Sequence, residues 1–252
     1  MIYKLLFFLA LLFPLTASAQ FITQGTITYE RTFKIKRALQ WEDNYKWVKK
    51  FATDIPKDVS APFVLRFNKE KSTYKFQETT SGKDAQTNWI VNNFAHKDVA
   101  YKNEVATNYQ TGMMESIKKV FEKNFMITDS LPRFKWKIED EIRVIAGYPC
   151  RKAVTTICDS VVVVAFYTDQ IMVSGGPESF NGLPGMILGI AIPRLYTTWF
   201  ATDVSQNTPR FTPPDIPRKT HTVSRREFYE ELRKDTKSWG NYADKMLWRV
   251  TL

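Results

Sequence analysis

A chain of 252 residues is long enough for one sizeable hydrophobic core or two small ones. Its formal net charge of +10 accounts for solubility and would also draw the protein towards an anionic surface such as lipid headgroups. Nucleic acid is excluded as a partner, because no nucleic-acid-binding motif occurs in the sequence.

The first 19 residues read as a secretory signal peptide. Lys4 supplies the positive region, and residues 5–15 form an apolar core interrupted only by Pro14. Thr16-Ala17-Ser18-Ala19 gives the small-residue pattern for cleavage before Gln20. The apolar run falls short of the ~20 residues that span a bilayer. No cysteine follows the cleavage point, so a lipoprotein is not expected. Residues 20–252 are expected to form a single mainly-β domain, exported to the periplasm or associated with the outer membrane.

Strand patterns dominate the mature chain. Residues 25–36 alternate through Ile27, Tyr29, Arg31, Phe33 and Ile35, the mark of a half-buried strand. Residues 62–67 and 72–79 predict two more, and residues 88–94 and 97–102 predict a hairpin. Met113 to Lys123 carries Ile117, Val120 and Phe121 and suits a helix or a strand. Residues 134–145 predict a strand with Phe134, Trp136, Ile138, Ile142 and Val144 on one face. Gly147-Tyr148-Pro149 marks a turn into a hairpin of residues 150–157 and 161–167, joined at Cys158-Asp159-Ser160. Residues 196–204 predict a strand, and the four prolines of residues 208–218 an extended loop. Ser224-Arg225-Arg226-Glu227 has the pattern of a capping box. It predicts a helix over about 224–239, with Phe228, Leu232 and Trp239 on one face and Gly240 as the stop.

Two runs, residues 161–166 and 186–192, are apolar at consecutive positions. A strand of that kind must be covered on both faces, by another layer or by bound ligand. The expected fold is therefore a curved antiparallel sheet, an open half-barrel or a sandwich, with a C-terminal helix. The half-barrel form resembles the lipoprotein carriers of Gram-negative periplasms, a likeness of fold alone.

The segment entering the second run is "SFNGLPGMILGI", residues 179–190. Pro184 and Gly185 occupy the central positions of a type II turn, and Gly182 admits close approach of a neighbouring backbone. Gly182, Pro184 and Gly185 are thus a structural turn that launches a buried strand. A functional alternative makes Phe180, Leu183, Pro184 and Met186 a lip over a hydrophobic opening that receives a ligand or partner. Residues 180–188 also resemble the signature after which the GLPGLI family is named, with Met186 where that family has Leu. Trp136-Lys137-Ile138, residues 147–153, Phe166-Tyr167-Thr168 and Gly176-Pro177 resemble its other landmarks, so the likeness covers about residues 125–204. The resemblance implies an exported envelope protein of Gram-negative bacteria and lends no catalytic residue, since the family has no established activity.

Residues that carry chemistry are sparse. His96 and His221 are the only histidines. With Cys150 and Cys158 they do not supply the three or four ligands of a zinc site, so neither metal nor cofactor is expected. Residues eight apart on one strand lie ~26 Å apart, beyond the ~7 Å a disulfide spans, so both thiols are expected free. A Cys150–His nucleophile pair is conceivable, but strand cysteines are more often buried and inert. Glu139, Asp140 and Glu141 read as a solvated face, and Asp169 and Glu178 as turn caps. The expectation is a non-catalytic exported envelope protein binding a hydrophobic ligand such as a lipid or acyl chain. The alternative is an accessory interaction module of an outer-membrane transporter or export machine, with an outer-membrane protein as partner.

Overall fold

The computed structural model describes residues 21–40, 56–77 and 103–252. The expected signal peptide and the expected hairpin at 88–102 lie outside these residues. Period-two burial builds most of what is described. β1 (Gly25–Phe33) buries Ile27, Tyr29, Arg31 and Phe33 and leaves Thr28, Glu30 and Thr32 on the wetter face. The short helix α1 (Ile35–Gln40) follows it.

β2 (Val59–Phe67) and β3 (Lys71–Phe76) are joined at Asn68, whose side-chain oxygen accepts from the Glu70 and Lys71 N–H groups at 2.9 and 2.8 Å. Asn108 uses the same device, at 3.0 Å to Gln110 and Thr111, to join β4 (Glu104–Asn108) to β5 (Met113–Val120). A tight turn with Phe121 at φ 55° then starts β6 (Lys123–Ser130). Residues 113–120 are therefore strand, not helix. Met114, Ser116, Lys118 and Val120 share one buried face, a spacing of two that a helix would scatter.

β7 (Lys137–Ile145), β8 (Tyr148–Ile157) and β9 (Val161–Thr168) form a meander. β10 (Met186–Ile192), β11 (Thr197–Ser205) and β12 (Thr220–Val223) complete a twelve-stranded sheet in the order β12-β6-β5-β4-β3-β2-β1-β11-β10-β9-β8-β7. Every pair is antiparallel except β12 with β6, which is parallel. The sheet is thus mixed and mainly antiparallel, and it does not close into a barrel.

Curvature follows from the core. Asp129 of β6 and Ile157 of β8 line one cavity, though nine strand positions separate their strands. On a flat sheet these strands would be roughly 43 Å apart at about 4.8 Å per strand. The sheet must curl to bring them together, and residues 169–185 pack into its main core. This plug buries Ile171, Val173, Phe180 and Leu183, each 4% exposed or less. Its backbone is tied on both sides. Ile22 N–H donates to Gln170 C=O at 2.9 Å, and Ile187 N–H donates to Gly175 C=O at 2.8 Å.

The two apolar runs have different fates. β10 is buried at every position but Ala191, which is half-buried: the plug lies along its start, while Phe200 and Ile145 close over Gly189. A register shift between Ile187 and Gly189 frees the Ile187 carbonyl, which accepts from the Tyr29 hydroxyl at 2.6 Å. β9 is covered only in its second half, because Val162 is 44% exposed. The expectation of two-sided burial is corrected there.

β7 corrects another expectation. Its apolar face looks to solvent, with Val144 70% exposed, because β7 is an edge strand of the sheet among the described residues. Ile138 pairs with Ala153 and Ile142 with Arg151, so Glu139, Asp140 and Glu141 bulge opposite Lys152 alone. The Lys152 ammonium reaches Glu139 at 3.2 Å and Glu141 at 2.9 Å. A charged bulge keeps an open edge from pairing with another chain.

The C-terminal region holds two helices where one was expected. α2 (Arg225–Asp235) begins at the predicted capping box: Glu227 N–H donates to Ser224 Oγ at 3.2 Å, and Ser224 N–H donates to Glu227 Oε2 at 2.8 Å. After a 3₁₀ turn, Gly240 opens α3 (Asn241–Val250) instead of ending the helical region. Phe228 and Leu232 of α2 join Val120, Phe125, Ile127, Leu247 and Val250 in a second small core. Trp239 stays outside it, partly exposed against Phe121 with ring centres 5.4 Å apart.

Candidate functional site

A cavity of about 470 Å³ opens where five parts of the chain meet. β6 and the connection after it contribute Asp129, Pro132 and Phe134. The end of β8 contributes Ile157 and Cys158, and the plug contributes Ser179 and Phe180. α2 closes one side with Arg225, Arg226 and Tyr229, and Thr251 and Leu252 after α3 complete it. β6 and β8 stand second and eleventh in strand order, so this site exists only because the sheet curls. A volume above ~300 Å³ with a largely apolar lining is that of a small-molecule pocket.

The wall on the plug side is rigid. Phe180 stacks on Phe134 with ring centres 5.2 Å apart, and Phe134 packs against Trp136 at 5.6 Å. Trp136 Nε1–H donates to Asn181 C=O at 2.8 Å, and the Asn181 amide donates to Pro132 C=O at 3.1 Å. Asn181 therefore fastens the plug to the β6–β7 connection, with Phe180 beside it against the cavity.

The predicted lip is rearranged. Phe180 lines the cavity as a wall residue, 3% exposed. Leu183 and Met186 point into the core, and Pro184 alone is exposed. The four do not act as one rim. The turn at Gly182, Pro184 and Gly185 is tighter than type II, because Gly185 N–H donates to Leu183 C=O at 2.8 Å, two residues back. Gly182 has φ 89°, and a Cβ there would meet nothing nearer than Trp136 at 3.7 Å, so its role is the positive φ rather than close approach.

The charged residues of the cavity are arranged unequally. Asp129 accepts from Arg225 N–H at 3.0 Å, Ser130 N–H at 2.7 Å and the Ser130 hydroxyl at 3.2 Å. Burial pushes its pKa up, but these bonds and the Arg225 charge outweigh that and hold it below the usual carboxylate range. The Arg225 guanidinium instead donates to Ser130 C=O at 2.7 Å and approaches the Met114 sulfur at 3.5 Å. Arg226 pairs with Glu230 at 2.9 Å on the exposed side of α2.

Glu178 is no turn cap. It is buried, at φ 55°, and its Oε2 accepts from the Asn103 amide at 3.2 Å. Lys118 is buried beneath α3 and donates to the Val250 C=O at 2.9 Å and to the Leu252 main-chain oxygen. Among the described residues no group of three His, Cys, Asp or Glu is placed to hold a metal ion. His221 stands beside Phe125, and among the described residues no histidine lines the cavity. His96 lies outside the described residues.

Cys150 and Cys158 sit at opposite ends of β8, and both thiols are free. Burial pushes the Cys150 thiol up to about 12. Cys158 is accessible in the β8–β9 turn, though surrounding chain raises its pKa against a weak contact to Thr251 at 3.9 Å. Neither microenvironment makes a thiolate nucleophile. Iodoacetamide is expected to label Cys158 slowly in the native protein and Cys150 only after denaturation. Native labelling of Cys150 would overturn this.

Residues 155–189, from the end of β8 through the plug into β10, match the family model described as "Protein of unknown function (Porph_ging)". This chain is similar to PNGF-II in the P21 space group, with TM-score 0.52 and 14% identity over 82% of this chain and 32% of that one. PNGF-II in the C2 space group gives TM-score 0.48 and 14% identity over 90% of this chain and 33% of that one. The chain thus spans about a third of the length of the structures it matches. At this identity the likeness is one of fold. No curated protein matches the chain.

Proposed function

We propose that this is an exported envelope protein without catalytic activity, and that it holds a hydrophobic ligand such as an acyl chain in the cavity beside α2. The observation that carries this reading is the cavity of about 470 Å³, walled by Phe134, Phe180, Ile157, Tyr229 and Leu252. An apolar space of this size is stable when an apolar guest displaces poorly bound water from it. The signal-peptide pattern of residues 1–19 supports export, and the GLPGLI-like stretch at 180–188 supports an envelope location. The described lining residues support binding: the Asp129 carboxylate is already satisfied by three donors, and the Cys158 thiol is held protonated.

The test is titration of the mature protein with a fluorescent fatty-acid analogue, beside a variant in which the cavity is filled. Thr251→Trp serves, because Thr251 lies at the cavity with ordinary helical backbone, φ −83°. Saturable binding is expected for the wild type. The variant should bind about tenfold or more weakly, a loss of about 1.4 kcal/mol, with an unchanged melting temperature. No saturable binding, or equal binding by the folded variant, would sink the reading.

A further inference from the structure

The two guanidiniums at the cavity are placed for something the apolar wall does not need. Arg225 is half-buried beside it, and among the described residues its guanidinium hydrogen-bonds neutral acceptors, the Ser130 carbonyl and the Met114 sulfur. Asp129, the acidic side chain in the lining, spends its oxygens on main-chain and hydroxyl donors. Arg226 is tied only to Glu230, and that pair is exposed, with side chains 87% and 52% accessible. Exposed i,i+4 pairs are weak and exchange readily with a better partner. Among the described side chains the lining therefore carries two cations and one carboxylate that is already bonded, at the edge of a low-dielectric space.

We infer that the cavity takes single-chain amphiphiles whose head is an anion, a carboxylate or a phosphate monoester, with the tail against Phe134 and Phe180 and the head at Arg225 and Arg226. This rests on the acyl-binding reading above. The guanidinium fork matches carboxylate and phosphate oxygens in two parallel hydrogen bonds. A cationic head would meet two like charges there. A neutral head would leave the Arg225 charge as it stands, with no gain from the electrostatics of the site.

The experiment holds the tail constant and changes the head. Laurate, lauryl phosphate, lauryl alcohol and lauryltrimethylammonium compete with the fluorescent fatty-acid analogue, on the wild type and on Arg226→Gln. The two anions are expected to bind about tenfold more tightly than the alcohol. Added salt should weaken the anions alone, and Arg226→Gln should remove most of their advantage without changing the alcohol. A preference between laurate and lauryl phosphate identifies the head and supports the inference either way. Equal affinity for acid and alcohol, tightest binding of the trimethylammonium, or an anion preference that survives Arg226→Gln overturns the inference and leaves the acyl-binding reading standing. If none of the four displaces the analogue and the analogue itself does not bind, both fall together.

Discussion

Gly185→Val is expected to unfold the protein or to lower its stability by more than about 4 kcal/mol, a size reserved for steric conflict or a broken core. Two conditions coincide at this residue. Its φ of 146° is a conformation that L side chains rarely adopt, and a β-branched one least of all. A Cβ there would also lie 2.7 Å from the Thr168 carbonyl carbon and 3.0 Å from Asp169 Cα. Both neighbours are backbone, and Thr168 is paired with Met186 in the β9–β10 ladder, so nothing flexible can yield. The control is Gly147→Ala, in the β7–β8 turn. Gly147 has φ 85°, but nothing lies within 4 Å of its missing Cβ, so only the backbone preference of about 1–2 kcal/mol is lost. Urea midpoints of the two variants and the wild type decide the matter. A Gly185→Val midpoint at or above that of Gly147→Ala would show that the plug can rebuild its entry to β10.

That result bears on how much the sequence reveals. The Pro184-Gly185 corner was legible as a turn from its residue types, though the type II geometry they suggested gives way to a tighter one. The capping box at Ser224 was legible for the same reason, since both partners lie within one turn. Alternation was a weaker guide. Ile138, Ile142 and Val144 alternate as cleanly as the buried positions of β1, yet they face solvent on an edge strand. Period two says that the faces differ, not which one is covered. The consecutive valines of β9 likewise announced two-sided burial, but Val162 lies before the segment where Phe200 and Arg143 cover the outer face at Phe166. α3 was hidden by Gly240, which looks like an end signal and is also a beginning. Met246, Leu247 and Val250 at helical spacing were the available clue. The plug buries side chains without regular structure, so no periodicity marks it. The cavity had no local signature, because β6, β8, the plug and the C-terminal helices reach it only after the sheet has curled.

The other large effect expected is electrostatic and concerns what holds α3 in place. Lys118 sits on the inner face of β5, fully covered, with the main-chain oxygens of Val250 and Leu252 as its acceptors. Burial pushes its pKa down to about 8; Glu178 opposes the shift, while Arg225 and Arg31 add to it. In the unfolded chain the group titrates near its ordinary value of 10.5. Below pH 8 both states hold the proton, and this residue adds no pH dependence. Between pH 8 and 10.5 the unfolded chain keeps a proton that the folded protein has released, so stability contributed by Lys118 rises with pH. The full window is worth on the order of 3 kcal/mol at about 1.4 kcal/mol per pH unit. Lys118→Met keeps a long unbranched side chain but cannot titrate. The difference in unfolding free energy between wild type and Lys118→Met is therefore expected to move in favour of the wild type from pH 7 to 10.5. Tyr29, Tyr74 and Tyr109, whose pKa values burial raises, act in the opposite direction above pH 10, but they are common to both proteins and cancel in the difference. Parallel pH profiles would mean that the bonds to the Val250 and Leu252 oxygens stabilise the ammonium in the folded protein as well as water does in the unfolded chain.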